Sequence, residues 1–125
     1  MRTLIADFVI PGEPVSKQRA QVTRNGHAYT PAKTKAAEDK IRKTWTQCNY
    51  PVRVLKATDS FAAETLFFCG DRRRKDVDNL LKLVMDALNG LVWKDDSQVA
   101  EALTKRIYVT KAEARTVVII WRITA

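Results

Sequence analysis

Hydrophobic and polar positions first alternate with a period of two. Residues 3–10 set Leu4, Ala6, Phe8 and Ile10 on one face against Thr3, Ile5, Asp7 and Val9, and Pro11-Gly12 ends the run. Successive side chains of a strand point to opposite faces, so this reads as a strand with one buried side. The stretch to Thr30 is polar and basic, interrupted by Pro14, and Asn25-Gly26 between short extended pieces marks a tight hairpin. Thr30 followed by Pro31 suits an N-cap with proline at the first helical position. Helix-compatible residues then run to about Gln47, with Ala37, Ile41 and Trp45 four apart on one side. Residues 48–59, which include Pro51, read as an irregular link or a short strand.

Residues 61–69 are rich in Phe and partly alternate, as a strand does. The period then changes: Leu80, Leu81, Val84, Met85 and Leu88 form one helical stripe, with Asp76 or Asp78 as its cap and Asn89-Gly90 as its end. Trp93 leads into a short acidic loop, and residues 98–109 and 114–124 read as a strand pair turning at Lys111. The run Val117, Val118, Ile119, Ile120, Trp121 suggests a last strand buried on both faces, and Trp45, Trp93 and Trp121 read as core. No repeat or long linker divides the chain. The expected fold is α/β (α+β): a single domain over residues 1–125, with a mixed sheet and two main helices.

Charge narrows the partner. Twenty-two Lys and Arg against 14 Asp and Glu leave a net charge of +8 on 125 residues, which favours a polyanion through release of phosphate counterions. Charge alone leaves ribosome, membrane surface and nucleic acid open. No stretch approaches the roughly 18 apolar residues of a membrane span. The N-terminus lacks the pattern of a signal peptide, so a soluble intracellular protein is expected. Cys48 and Cys69 lack metal or disulfide spacing and read as buried small hydrophobes. Basic residues run through the first half, whereas six aspartates fall between Asp71 and Asp96. A protein that merely coats DNA has little use for such acids; a bound metal ion would give them one.

The informative segment is Asp71-Arg72-Arg73-Arg74-Lys75-Asp76-Val77-Asp78-Asn79-Leu80-Leu81-Lys82, completed by Trp93-Lys94-Asp95-Asp96. Phosphodiester hydrolysis needs charge neutralised at the phosphate and an activated water, and a hard divalent ion held by carboxylates supplies both. Within one helix Asp76 and Asp78 would point about 200° apart, so Asp76 is placed at the strand-to-helix junction and Asp78 at the helix start. Lys82 then lies one turn beyond Asp78 on the same face. Each feature also has an ordinary explanation. Aspartates near a helix start cap free amides, Asp95-Asp96 makes a solvated turn, and Lys82 an exposed helix ion pair. Asp71 and Asp86 read as surface residues. The run Arg72, Arg73, Arg74, Lys75 is either a solvated flank or a phosphate contact. His27 is the only histidine and reads as a surface residue, which disfavours histidine-based nucleases. No Ser-His-Asp arrangement, P-loop or dinucleotide fingerprint is present. Tyr29 or Tyr50 is a weaker candidate for base stacking.

The segment from Asp71 to Lys82, then Asp86-Ala-Leu, then Trp93-Lys-Asp-Asp-Ser-Gln-Val99, resembles the RusA family of Holliday junction resolvases. The resemblance is strongest over residues 67–99. It implies a homodimer, dependence on Mg²⁺ (with Mn²⁺ as a substitute) and paired symmetrical incisions in four-way junctions that leave 5′-phosphates, serving DNA recombination and repair. By position it implies Asp76, Asp78 and Asp96 as metal-holding carboxylates, Lys82 as the catalytic or phosphate-contacting lysine, and Asp95 as the lesser member of its pair. Lys17, Arg19 and Arg24 are DNA-contact candidates beside Arg72, Arg73, Arg74 and Lys75. The implied location is the cytoplasm of a bacterium or a phage-infected host. Two other readings use the same residues: a non-catalytic branched-DNA binder and a small metal-dependent ribonuclease. The acid set disfavours the first and the motif the second.

Overall fold

The computed structural model describes residues 1–48 and 58–124. Strand β1 (Arg2–Pro11) leads into a loop and a small hairpin of β2 (Gln21–Val22) and β3 (Ala28–Tyr29), followed by helix α1 (Ala32–Gln47). Then come β4 (Ser60–Cys69), helix α2 (Val77–Leu88), β5 (Val99–Tyr108) and β6 (Arg115–Ile123). The main sheet has the order β1-β6-β4-β5, mixed because β4 and β5 are parallel while the other pairs are antiparallel. The single-domain α+β architecture with a mixed sheet and two helices follows the sequence pattern. Most of the link expected at residues 48–59, and Tyr50 with it, lies outside the described residues.

Both helices pack on one face of this sheet. Phe8 of β1 meets Trp45 of α1 edge-on, ring centroids 5.7 Å apart, and Phe61 of β4 meets Trp93 at 5.7 Å. Leu80, Leu83, Val84, Ala87 and Leu88 bury the inner side of α2 against Phe61, Phe67, Val118 and Ile120. Each of these Leu and Val side chains contributes about 2 kcal/mol through removal of apolar area from water. Thr65 and Thr104 join β4 to β5 on the helix side, their hydroxyls 3.0 Å apart. No helix among the described residues is long and apolar enough to cross a membrane.

Several expectations shift. Residues 98–109 and 114–124 do not pair with each other: β4 lies between β5 and β6, and Gln98 belongs to a 3-10 turn, Asp96–Gln98. A run of β-branched residues marks a strand but carries no information about its neighbour. β6 is buried on one face, while Val117, Ile119 and Trp121 are half-exposed on the other, so Trp121 is not core. A bulge between Leu4 and Ala6 breaks the alternation, leaving Leu4 55% exposed while Ala6, Phe8 and Ile10 stay buried. Pro31 is itself the cap position of α1, and Cys48 is exposed whereas Cys69 is buried.

Leu80 is fully buried where α2 meets the sheet. Leu80→Ala is expected to cost about 3 kcal/mol of folding stability through lost packing and the cavity left behind. Urea unfolding measures this, and a loss below about 1 kcal/mol would contradict the packing described.

Candidate active site

Asp78, Lys82 and Asp96 line one open cavity of about 270 Å³, together with Leu81, Met85, Val99 and Ala102. The first two reach it because they lie one turn apart on α2. Asp96 reaches it because the chain leaves α2 at Asn89, turns through Gly90 at φ +82 and returns to start β5. That return is pinned by Trp93, which is buried and donates its indole N–H to Asn89 Oδ1 at 2.9 Å. The acidic loop thus comes back to the side of α2 that carries Asp78 and Lys82.

The two adjacent aspartates divide their work. Asp95 caps the 3-10 turn: its Oδ2 accepts the Ser97 amide at 3.1 Å, and Gln98 Oε1 accepts the Lys94 and Asp95 amides at 2.9 and 3.3 Å. The bonds from Ser97 hold the Asp95 carboxyl below its ordinary pKa. Gln98 also donates to the Asp59 carbonyl at 3.0 Å, fastening the turn to the residue before β4. Asp96 is left to face the cavity.

Asp76 occupies the cap position of α2, yet its side chain caps no amide; it pairs instead with Arg74 at 3.6 Å on the surface. It is not among the residues lining the Asp78–Lys82–Asp96 cavity. Asp78 Oδ1 accepts the Asn79 amide at 3.0 Å. Lys82 pairs at 3.8 Å not with Asp78 but with Asp86, one turn further on.

The cationic run separates into held and exposed members. Arg72 lies over the Tyr108 ring, 4.6 Å from its centroid, and donates to the carbonyls of Cys69 and Val109 at 3.3 and 3.4 Å. Lys75 donates to Glu13 Oε1 at 2.7 Å. Arg73 and Arg74 project into water, and with Lys33 and Lys75 they line a second cavity of about 250 Å³. Arg19 and Arg24 are exposed in and beside the β2–β3 hairpin, where every side chain from Gln18 to Thr30 is exposed. Lys17 is different. Its ammonium sits 2.9 Å from Glu38 and 3.1 Å from Asp86. Burial lowers its pKa, but the bonds to Glu38 and Asp86 outweigh that and hold it above the ordinary lysine value.

Two acids that pattern reasoning passed over shape the site. Asp86 is not a plain surface residue: it joins Lys17 of the N-terminal loop to Lys82 of α2. Glu13 accepts the Gly70 and Asp71 amides at 3.0 and 3.1 Å as well as Lys75. It thereby fixes the turn out of β4 that leads to Asp76. Neither bond set leaves a local sequence signature, because the partners lie 57 to 69 positions away, although Asp86 to Lys82 is a visible four-residue spacing. Asp71, also read as a surface residue, is half-buried and accepts the Arg73 amide at 2.7 Å.

Over residues 11–121 the chain matches the family described as endodeoxyribonuclease RusA. The chain belongs to the RusA family. It is also 29% identical over 123 residues to a Bacillus subtilis (strain 168) protein described as uncharacterized protein YqaN, covering 81% of this chain and 86% of that one. RusA nucleases are generally divalent-metal dependent. Among the described residues, no group of three or more His, Cys, Asp or Glu stands together as a ready-made metal cage. The carboxylates of Asp78 and Asp96 on one cavity still fit a hard ion, since Mg²⁺ is commonly held by one or two carboxylates, with waters and substrate phosphate completing its shell.

Glu13 gives a pH test of this RusA site. Burial pushes its carboxyl up, but Lys75 and the two amides overcome this and hold it below the ordinary value of 4.5. A carboxyl with a lowered folded-state pKa stabilises the fold above its unfolded-state value and loses that contribution as pH falls through the folded-state value. Glu13→Gln is expected to cost about 1–2 kcal/mol at pH 7, with the gap to the native chain closing below pH 4.5. Urea unfolding at both pH values measures it; a gap independent of pH would mean that the charge of Glu13 plays no part.

Proposed function

We propose that this chain is a Mg²⁺-dependent, structure-selective endodeoxyribonuclease that resolves four-way DNA junctions as a homodimer. Membership of the RusA family supports nuclease action on branched DNA. The observation that carries the reading to particular residues is the shared cavity of Asp78, Lys82 and Asp96. Asp78 and Asp96 are the proposed metal carboxylates. Asp76 joins them once a phosphate competes for Arg74, since its surface ion pair with that arginine is weak in water. A divalent ion held there would neutralise phosphate charge and supply an activated water. Lys82 places an ammonium beside the phosphate as negative charge develops on it, and Asp86 keeps that ammonium on the cavity side of α2.

Arg73, Arg74 and Lys33 supply phosphate contacts next to the scissile position, and Arg19 and Arg24 extend them along the hairpin. Arg72, Lys75 and Lys17 support the surface rather than lead it, because each is engaged inside the protein. A junction offers two equivalent strands, and a twofold dimer presents two equivalent sites, so paired cuts follow from matched symmetry. Capping, one role a non-catalytic binder would give the acids, does not account for Asp76, whose side chain caps no amide.

The test uses purified protein with a labelled four-way junction and a matched linear duplex, with Mg²⁺ or with EDTA. Symmetrical nicks confined to the junction are expected, lost in EDTA and in Asp78→Asn, while junction binding is kept. Full cleavage by Asp78→Asn would remove that residue from the site, and binding without cutting under any divalent ion would make the chain a structure-recognition protein.

A further inference from the structure

A further cavity, of about 280 Å³, lies between the end of β1, the loop after it, α1, α2 and the sheet. Ile10, Val15, Ile41, Phe67, Leu83 and Val84 give it apolar walls, and Thr116 adds a hydroxyl. At its edge Lys40 reaches from α1 to the Pro11 carbonyl. An apolar pocket with a few polar groups is the form that a binding site for a small organic group takes. Asp76, Asp78, Lys82 and Asp96 are not among its lining residues, so the proposed cutting chemistry does not use it.

The neighbouring cavity identifies what fills it. Glu13, Pro14, Val15 and Lys33 line both this cavity and the cationic one of Arg73, Arg74 and Lys75, so the two adjoin. The cationic cavity sets four bases against two acids, Glu13 and Asp71. Both acids are engaged within the protein, Glu13 by Lys75 and two amides and Asp71 by the Arg73 amide. Ser16 lines the same cavity, and its hydroxyl is buried with no hydrogen-bond partner among the described residues. Buried polar groups ordinarily have a partner, so this one is a donor for a group that arrives there. Arg74 connects the cavity to the cutting site through its 3.6 Å pair with Asp76. An anion seat adjoining an apolar slot suits a phosphate joined to a flat, largely apolar ring: a nucleotide whose base has left the stack. A plain apolar molecule would make no use of the cations, and a stacked duplex would leave the apolar slot empty.

We propose that the two cavities together seat one unstacked nucleotide next to the cutting site, its phosphate among Lys33, Arg73 and Arg74 and its base in the apolar cavity. This rests on the nuclease reading above and deepens it by naming what the enzyme recognises in a branch point. Drawing a base out of intact duplex costs pairing and stacking energy, and the cost is smaller where pairing is already broken. A seat that must be filled before cutting therefore favours branch points over linear duplex.

The test uses the full chain and a four-way junction carrying 2-aminopurine, whose fluorescence rises on unstacking, at one nucleotide at a time around the cleavage position. In EDTA, where nothing is cut, native protein is expected to brighten one position at least about twofold. Ala36→Leu narrows the apolar cavity from an exposed position of α1. Ala32→Leu, exposed on the same helix outside the cavity, is its control. Ala36→Leu is expected to abolish the rise while gel-shift binding of the junction persists and circular dichroism stays native; Ala32→Leu keeps the rise. With Mg²⁺, an abasic nucleotide at the brightened position is expected to slow native cleavage at least about tenfold, as loss of a pocket contact does, and to slow Ala36→Leu no further. No brightening at any position, or brightening and abasic sensitivity unaltered by Ala36→Leu, would overturn the nucleotide seat while leaving the nuclease standing. A chain that neither binds nor cuts the junction would overturn both.

Discussion

Strands β4 and β5 run parallel, and a parallel pair cannot be closed by a tight turn; the chain must cross the sheet to begin the second strand in the same direction. That crossing is α2 and the acidic loop after it. The site depends on this one topological requirement. It forces a helix carrying Asp78 and Lys82 to lie against the sheet, and brings the chain back past it with Asp96 at the head of β5. An antiparallel hairpin at the same place in the sequence would put these residues on no common cavity. The buried Leu80, Val84 and Leu88 hold the helix down, and Trp93 with Phe61 anchors the return.

Electrostatics completes what the crossover begins. Carboxylates that hold bonds within the protein and carboxylates that face solvent are kept apart. Glu13 takes two amides and a lysine, Asp95 caps a turn, and Glu38 and Asp86 share Lys17. Asp78 and Asp96 are left on the cavity. The cations divide in the same way, with Arg72 and Lys75 braced against Tyr108 and Glu13 and Arg73 and Arg74 outside. Engaged charges make a rigid frame, and the exposed ones are what a phosphate can meet without first breaking a strong bond.

The local part of this arrangement was legible in the chain. Period-two and period-3.6 patterns mark β1, β4 and α2, and Asn25-Gly26 and Asn89-Gly90 mark turns because glycine tolerates the positive φ found at Gly26 and Gly90. Spacing and the resemblance to RusA point to Asp76, Asp78, Lys82 and Asp96, and the cavity joins the last three without Asp76. What escaped depends on distant partners. Nothing near residues 99–108 says that its neighbour is β4 rather than β6, because this edge strand buries no residue whose packing would name a partner. Trp121 looks like core by composition, but it is half-exposed because no second layer covers that face among the described residues. Asp86 and Glu13 look like surface acids until the fold supplies Lys17, Gly70 and Lys75.

The central proposal is that carboxylates 18 positions apart, Asp78 and Asp96, together bind divalent metal. Paramagnetic broadening of backbone amide signals by titrated Mn²⁺ tests it most directly, in the native chain and in Asp95→Asn and Asp96→Asn. The account expects broadening centred on both the start of α2 and the Asp96–Gln98 turn, kept in Asp95→Asn and lost in Asp96→Asn. Broadening confined to the Arg72–Asp76 loop, or unchanged by Asp96→Asn, would contradict it.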